Sequence, residues 1–334
     1  MKLTKIQSSQ LDNVLEIRWC INNVCNFKCE YCFPDAHAAT HSSPTNLTHV
    51  VDNFNHLFDY YKSHLGKTSF NLKITGGEPT LWPELGEFIQ EIKQKHKVYV
   101  TVLSNGSRTM RWWKEYAPYI DNLTLSYHQK QADIHHTIQV ADLLFALKKK
   151  VTVHMLMDPT CWDKCLEDIE HIKNTSIHPW FIQTKEIIST PNMPIAYTTN
   201  QRQYLQKELK RMPNLLWFIK NFKLIFGGQI RFFESRATTD NNKTIFAQSQ
   251  TYITRQLNTF KGWRCNLGLE SIYIHWNGNI QGSCGQLPYT GNNIHNILDK
   301  DFKLTFQPTL SPVTCMRNCC ECPPETHLTK ISFS

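Results

Sequence analysis

The sequence predicts a protein of the α/β class in which six strand–helix units build a parallel sheet. Between residues 14 and 181, short runs rich in β-branched and aromatic residues alternate with longer segments of helical periodicity. Prolines stand at the joins, at Pro79, Pro118 and Pro159. After about residue 190 the pattern changes to one helix and then short strands separated by Gly, Asn and Asp. We therefore expect two domains, residues 1–190 and residues 191–334.

The elements follow one another in a regular order. The predicted strands are residues 14–20, 70–75, 98–103, 122–127, 151–157 and 177–183. A helix follows each of the first five strands, at residues 46–64, 82–95, 109–116, 132–149 and 162–173. In the second part we predict a helix over residues 201–211 and a strand over 271–276, with a hairpin turn at Asn277-Gly278-Asn279.

The composition restricts the class of protein. The 334 residues include 36 Lys+Arg and 28 Asp+Glu, a net charge of +8, and 41% hydrophobic residues, enough for a large core. No apolar run approaches the roughly 18 residues that cross a bilayer, so we expect a cytoplasmic protein without a membrane partner. In that compartment the 12 cysteines are better explained as metal ligands than as disulfides.

Three of these cysteines follow the first predicted strand closely: Cys25, Cys29 and Cys32. A short loop can turn all three thiols inward. Three thiolates leave one iron of a 4Fe-4S cube without a protein ligand, and that iron could bind a small molecule. A zinc site is the alternative, although structural zinc usually has four ligands arranged in two pairs.

The second predicted strand leads into a glycine-rich segment, Gly76-Gly77-Glu78-Pro79. Two glycines allow the backbone to approach a ligand closely, and the carboxylate beside them can hold an ammonium group. By itself such a segment is only a turn. Its position one strand–helix unit after the cysteines favours a shared site.

The two segments together resemble the radical S-adenosylmethionine (SAM) superfamily, whose signature is C-x3-C-x2-C with an aromatic residue before the last cysteine. Tyr31 occupies that place. The resemblance implies that the methionine amine and carboxylate of SAM chelate the open iron and that an electron from the reduced cluster cleaves the sulfonium. The resulting 5′-deoxyadenosyl radical would then abstract a substrate hydrogen. It also implies an electron donor such as flavodoxin or ferredoxin.

Polar residues after other strands are candidates for the same site, because the carboxyl ends of the strands carry the active site of a β/α barrel. Ser104 and Asn105 follow the third strand, although a loop or helix cap explains them equally well. His128 and Asp158 also lie at strand ends. Each could contact the substrate or be a polar residue whose hydrogen bonds are made within the protein. From the resemblance and these positions, the expected cofactor-binding residues are Tyr31, Phe33, Gly76, Gly77, Glu78, Pro79, Ser104, Asn105 and Ser126.

Six further cysteines lie near the other end of the chain: Cys265, Cys284, Cys315, Cys319, Cys320 and Cys322. They are similar to the SPASM and twitch extensions of radical SAM enzymes, in which a hairpin and a C-terminal loop enclose auxiliary 4Fe-4S clusters. SPASM domains have seven cysteines and two clusters, so six cysteines favour the twitch version with one. The expected ligands are Cys265, Cys284, Cys319 and Cys322, with Cys315 and Cys320 as substitutes. A zinc knuckle over residues 315–322 is the alternative.

The resemblance implies a partial (β/α)6 TIM-type barrel followed by a small α+β auxiliary-cluster domain. We expect a radical SAM enzyme that oxidises, crosslinks or rearranges a peptide or protein residue, or a nucleotide or nucleic-acid base. The net charge and the aromatic-basic stretches at residues 110–114 and 231–233 permit a nucleotide, although packed aromatics are the simpler explanation. The alternative is a non-enzymatic iron-sulfur or zinc-dependent nucleic-acid-binding protein, which leaves the glycine-rich segment unexplained. Cys20, Cys161 and Cys165 are expected to be small buried thiols.

Overall fold

The structure is a computed structural model. It describes residues 3–8, 11–32, 38, 40, 44–176, 181–187, 195–210, 235–247, 252–253, 256–282, 284–286, 294–308, 310–320 and 323–332. Across these residues no helix is both long enough and apolar enough to cross a bilayer.

The chain alternates strands and helices through its first half. The strands are β1 (Leu3–Gln7), β2 (Val14–Cys20), β3 (Ser69–Thr75), β4 (Val98–Ser104), β5 (Asn122–Tyr127), β6 (Lys150–Leu156), β7 (Phe181–Lys185), β8 (Ser235–Thr239), β9 (Thr244–Ala247), β10 (Arg264–Cys265), β11 (Ser271–Ile274), β12 (Ile280–Gln281), β13 (Val313–Thr314) and β14 (Lys330–Ile331). The helices are α1 (Leu47–Leu65), α2 (Leu85–Lys95), α3 (Met110–Tyr116), α4 (Ile134–Ala146), α5 (Trp162–Thr175), α6 (Thr199–Lys210), α7 (Phe302–Thr305) and α8 (Pro323–Thr326).

Strands β2 to β7 form a parallel sheet in sequence order, which confirms the predicted α/β fold of the partial TIM-barrel type. The predicted prolines each occupy the first or second position of a short 3₁₀ turn, at Pro79–Leu81, Ala117–Tyr119 and Pro159–Cys161. The last of the six predicted strands is displaced. We expected residues 177–183, whereas β7 spans Phe181–Lys185, and residues 177–180 lie outside the described part of the chain.

Two pairings cross the predicted boundary at residue 190. Strand β11 pairs in parallel with β2, with Ile272 opposite Ile17, and β12 follows as an antiparallel edge strand. In the second sheet the order is β13-β10-β14-β1-β8-β9, so the N-terminal strand β1 lies among C-terminal strands. Each sheet therefore contains strands from both parts of the chain. This differs from the expected arrangement, because hydrogen bonding between distant strands leaves no local signature.

The two faces of the first sheet differ in polarity. Trp19 packs against Phe54, Phe88 and Trp82 at ring-centroid distances of 4.8, 5.2 and 5.9 Å, in the layer between the sheet and its helices. Because side chains alternate along a strand, Arg18 of β2 lies on the opposite face, toward the barrel lumen. The helix-facing surface is the core, and the lumen is polar.

Candidate active site at the carboxyl edge of the barrel sheet

The three cysteines Cys25, Cys29 and Cys32 lie on the loop that follows β2, and all three are half-buried. The Cys32 N–H donates to the Cys29 carbonyl at 3.1 Å, and the Phe27 N–H donates to Cys25 Sγ at 3.4 Å. Burial, followed by the nearby Cys32 and Cys25 thiols, raises the pKa of Cys29 to about 12. The loop therefore brings the three thiols into one environment, as the spacing predicted.

A histidine from another strand end contacts this loop. His128 follows β5, and its Nδ1 lies 3.2 Å from Cys29 Sγ and 2.8 Å from the Tyr31 hydroxyl. Its ring is stacked on Tyr31 at 5.8 Å and meets Phe27 edge-on at 5.9 Å. His128 is therefore a satisfied polar residue that positions Cys29 and Tyr31, one of the two roles that its place in the sequence allowed.

The glycine-rich segment lies directly against the chain that precedes the cysteines. The Gly77 N–H donates to the Asn22 carbonyl at 3.0 Å, and the Glu78 N–H donates to the Val24 carbonyl at 2.7 Å. A Cβ atom on Gly77 would lie 2.2 Å from the Val24 carbonyl oxygen, and one on Gly76 would lie 2.8 Å from that of Asn22. Glycine is therefore required at both positions because the backbone of residues 22–24 passes so close to them. This reason differs from the prediction, in which a ligand approaches the two glycines.

The Glu78 carboxylate is buried and bonded to protein donors on both oxygens. Oε1 accepts hydrogen bonds from the Thr80 N–H at 2.9 Å, the Thr80 hydroxyl at 2.5 Å and the Ser104 hydroxyl at 2.8 Å. Oε2 accepts one from the Asn105 N–H at 2.7 Å. Burial raises the pKa of Glu78, and these donors oppose the shift. The carboxylate joins the loops after β3 and β4, so the expectation that it holds an ammonium group does not match its contacts.

Asn105 continues this network to the cysteine loop. Its Nδ2 donates to Asn26 Oδ1 at 2.9 Å, and its Oδ1 accepts the Ser107 N–H at 3.0 Å. Asn26 in turn donates to the Ser107 hydroxyl at 2.9 Å. Ser104 and Asn105 therefore have the loop-bracing contacts that were the alternative to ligand binding.

The remaining predicted residues have different surroundings. Pro79 is buried and begins a 3₁₀ turn, and Ser126 is half-buried at the end of β5. Asp158 caps the 3₁₀ turn after β6 through the Thr160 N–H at 2.9 Å, and Lys130 lies 3.2 Å from its other oxygen. Asp158 is therefore a satisfied cap. Phe33 lies outside the described residues.

The predicted buried thiols and packed aromatics are also present. Cys20 and Cys165 are buried, whereas Cys161 is half-buried. Trp113, from the aromatic-basic stretch at residues 110–114, is completely buried and donates its indole N–H to the Gly106 carbonyl at 3.3 Å. Trp113 therefore belongs to the core, whereas Arg111 and Lys114 are exposed. Residues 231–233 lie outside the described part of the chain.

The C-terminal cysteines line a second site, a recess that opens to solvent. Its lining residues are Cys265, Leu267, Cys284, Gln286, Cys315, Arg317, Cys319, Cys320, Glu325 and Lys330. Cys265 and Cys315 are buried. Burial raises the pKa of Cys265 to about 11, and the nearby Cys320 and Cys315 thiols add to the shift while Lys330 opposes it. These thiols and the Lys330 ammonium therefore share one space.

Backbone hydrogen bonds hold the C-terminal loop onto this recess. The Cys315 N–H donates to the Trp263 carbonyl at 2.8 Å, and the Cys320 N–H donates to the Asn258 carbonyl at 2.8 Å. Arg317 donates to the Cys284 carbonyl from Nε at 3.0 Å. The loop thus packs beside β10 and the hairpin segment.

The thiols of this site do not match the expected ligand set completely. Cys265 and Cys284 face the recess as predicted, together with Cys315 and Cys320, the two substitutes. Cys319 borders the recess but is exposed, and Cys322 lies outside the described residues. Two adjacent residues in an extended loop point in opposite directions. The structure therefore favours Cys320, which was expected only as a substitute, over the expected ligand Cys319.

Comparison with known proteins identifies the first site. Residues 19–138, which contain the three cysteines, the glycine-rich segment and His128, match the family described as the Radical SAM superfamily. This part of the chain is a radical SAM domain. The fold is similar to that of a solved structure of anSMEcpe with bound AdoMet, which has a TM-score of 0.50 and 17% identity, over 89% of this chain and 81% of that one.

Three further comparisons are with one solved structure and two curated relatives. Streptococcus suis SuiB bound to its precursor peptide SuiA has a TM-score of 0.50 and 14% identity, over 88% of this chain and 65% of that one. A GTP 3′,8-cyclase of Vibrio cholerae is 33% identical over 103 residues, 30% of this chain and 30% of that enzyme. One from Helicobacter pylori is 27% identical over 190 residues, 51% of this chain and 56% of that enzyme. These matches therefore cover about a third to a half of each curated relative.

The thiols of the first site can be compared with the 4Fe-4S cluster that a radical SAM domain implies. Among the residues that the structure describes, no three His, Cys, Asp or Glu donors are close enough to share one metal ion. A 4Fe-4S cube binds each thiolate to a different iron, so its sulfurs do not meet at one atom. Cys25, Cys29 and Cys32 supply three such donors from one half-buried loop.

Proposed function

We propose that this protein is a radical SAM enzyme whose Cys25, Cys29 and Cys32 would hold a 4Fe-4S cluster that binds SAM. When bound, the cluster and SAM would supply a 5′-deoxyadenosyl radical that abstracts a hydrogen atom from the substrate. One observation carries the proposal: the glycine-rich segment is bonded to residues 22–24 of the cysteine-bearing chain, so the two family motifs form one site.

The main chain of Gly76 and Gly77 supports an amine-binding role. The Gly77 N–H is already bonded to Asn22. Among the described residues, no donor is bonded to the carbonyl oxygens of Gly76 and Gly77. A carbonyl accepts from an ammonium group. We propose that these carbonyls, with Glu78 bracing the loops behind them, bind the amine of SAM, and that Tyr31, Phe33 and Ser126 contact its other parts.

The second recess would hold an auxiliary 4Fe-4S cluster of the twitch kind. Cys265, Cys284, Cys315 and Cys320 are the four thiols that the described contacts bring together, which supports them as its ligands. We further propose that residues 1–190 and 191–334 act as the SAM-binding and auxiliary-cluster parts. The protein would work in the cytoplasm with an electron donor such as flavodoxin or ferredoxin.

The substrate would be a nucleotide or a peptide. The curated relatives named GTP 3′,8-cyclase support a nucleotide, whereas a fold shared with a peptide-bound SuiB structure is compatible with a peptide. We place the nucleotide first, because the relatives named GTP 3′,8-cyclase share sequence identity with this chain, whereas SuiB shares only the fold. The products would arise by oxidation, crosslinking or rearrangement.

The test is anaerobic reconstitution with iron and sulfide, followed by incubation with dithionite and SAM. Release of 5′-deoxyadenosine is expected from the wild-type chain and not from a variant with Cys25, Cys29 and Cys32 all changed to Ala. Mass analysis of added nucleotides and peptides would identify the modified class. Stoichiometric zinc without iron in the purified protein would contradict the proposal.

A further inference from the structure

A lysine is buried among the cysteines of the second site. Lys330 of β14 is only 1% exposed, and it lines the recess together with Cys265 and Cys320. In the antiparallel register, Lys330 lies directly opposite Cys265 of β10. Residues paired in this way project their side chains from the same face of a sheet. The ammonium-bearing chain and the thiol therefore enter the recess side by side.

The described contacts of the Lys330 ammonium group are to uncharged partners. It donates hydrogen bonds to the main-chain carbonyl of Glu325 and, at 3.4 Å, to that of Thr326, both in α8. It also lies 5.2 Å from the centre of the Phe260 ring. Among the residues that the structure describes, no carboxylate forms an ion pair with Lys330. These partners position the ammonium group without neutralising it, and a buried charge that is not neutralised is costly.

The groups that can neutralise this cation are the thiols beside it. Burial raises the pKa of Cys265 to about 11 and also raises the pKa of Cys320. In both cases the Lys330 ammonium opposes the effect of burial more than any other group does. Charges act this strongly only at short range. Lys330 is therefore close to thiols from two parts of the chain, β10 and the C-terminal loop, that are proposed to hold the auxiliary cluster.

The Cys284 side of the recess has the opposite charge beside it. The Glu325 side chain is buried and lines the recess. Burial, followed by the Glu325 carboxylate, raises the pKa of Cys284 to about 12. One cation and one carboxylate thus lie next to different thiols of the same site.

We propose that Lys330 is the electrostatic partner of the auxiliary 4Fe-4S cluster and raises its reduction potential. This inference rests on the proposed function, since it assigns a role to a residue beside the proposed cluster. Four thiolates give such a cube a net negative charge, and one electron taken from the donor adds another negative charge. A fixed cation in a poorly solvated space therefore stabilises the reduced form more than the oxidised form. The Glu325 carboxylate acts in the opposite direction.

The alternative role for Lys330 is structural, because its hydrogen bonds satisfy the last carbonyls of α8. Satisfying a carbonyl requires a donor, whereas raising the potential requires a positive charge. A structural role therefore predicts that variants alter folding or cluster loading without a shift whose sign follows the charge. The proposed role predicts opposite shifts on removal of the cation and of the carboxylate.

The test observes the auxiliary cluster alone. In the full-length chain, Cys25, Cys29 and Cys32 are all changed to Ala, and the protein is reconstituted anaerobically with iron and sulfide. Electron paramagnetic resonance then follows reduction by dithionite at controlled potentials. At a fixed potential, Lys330→Met should lower the ratio of reduced to oxidised cluster roughly ten-fold or more, a shift of about 59 mV for one electron. Lys261→Met removes an exposed cation next to Phe260 in the chain and should leave the ratio unchanged.

Two further variants in the same background make the sign of the shift decisive. Glu325→Gln keeps the main-chain carbonyl that Lys330 binds but loses the negative charge, so the ratio should rise. Lys330→Arg keeps the positive charge and should stay near the unsubstituted ratio. Circular dichroism and an iron content of about four per chain identify the variants that are folded and loaded.

An unchanged ratio in loaded Lys330→Met, or shifts of the same sign in Lys330→Met and Glu325→Gln, would overturn the inference. Should Lys330→Met fail to hold iron, equal ratios in Lys330→Arg and Glu325→Gln would overturn it. Absence of iron from the triple-Ala protein that retains Lys330 would instead contradict the auxiliary cluster of the proposed function.

Discussion

The two cysteine sites of this chain gather thiols in different ways. At the first site, Cys29 is half-buried on the loop after β2, and neighbours such as His128 and Glu78 brace the surrounding loops. At the second, Cys265 and Cys315 are buried and face the ammonium of Lys330, which is itself buried. The first site has three thiols and the second at least four. The difference suggests that the first suits a cluster with one open iron for chemistry, and the second a fully ligated cluster.

Loss of one thiol at the first site should have the largest effect. We expect Cys29→Ala to abolish 5′-deoxyadenosine release and to lower the iron content from about eight to about four per chain, since each cube contains four irons. Iron analysis and electron paramagnetic resonance of the reduced protein would measure the loss. Retention of both cluster signals in this variant would contradict the assignment of Cys29.

A matched pair of variants examines the second site. Cys320→Ala should lower the iron content to about four per chain, because one cube is lost, whereas Cys319→Ala should keep about eight, because the exposed Cys319 is not a ligand. Both variants should still cleave SAM without substrate. The reverse pattern of iron loss would show that the loop turns the other cysteine inward, and circular dichroism would establish that each variant remains folded.

The carboxylate network behind the first site should matter for both stability and cofactor binding. Glu78→Gln replaces one carboxylate oxygen with an N–H₂ group. This group would point at the backbone N–H of either Thr80 or Asn105, so two hydrogen-bond donors would face each other without an acceptor. We expect a loss of about 2–3 kcal/mol in the free energy of unfolding and weaker SAM binding. Denaturant unfolding measures the first effect, with the exposed Glu91→Gln as the control. A change below that of the control would show that the network is dispensable.

The smallest expected effect concerns the lumen and pH. Because burial raises the pKa of Glu16 to about 7, the folded state binds its proton more tightly than the unfolded state, where the pKa is 4.5. Its contribution to stability is complete below pH 4.5 and declines as the pH rises toward 7. Glu16→Gln should remove this decline, so the variant should gain about 1–2 kcal/mol relative to wild type between these limits. Urea unfolding at a series of pH values would show it, and a pH-independent difference would contradict the shifted pKa.

Local sequence patterns were sufficient to predict most strands of the barrel. The ranges of β2 and β5 were predicted without error, and those of β3 and β4 within one residue, since alternating apolar residues and helical periods are properties of short segments. The first cysteine group was equally predictable, because its spacing lies within one loop. Strand β7 and the pairing of β11 with β2 were not, because they depend on partners far away in the chain.

The sequence by itself determined the class of the fold and the presence of a radical SAM domain, and it predicted the three thiols of the first site, because each depends on residues close together in the chain. Only the tertiary structure decided what Glu78 and the two glycines contact, since those contacts come from loops that other strands deliver to the same edge. It also decided that Cys320 is less exposed than Cys319 beside the recess. Side-chain direction and distance between strands are set by packing across the whole sheet, and no short segment records them.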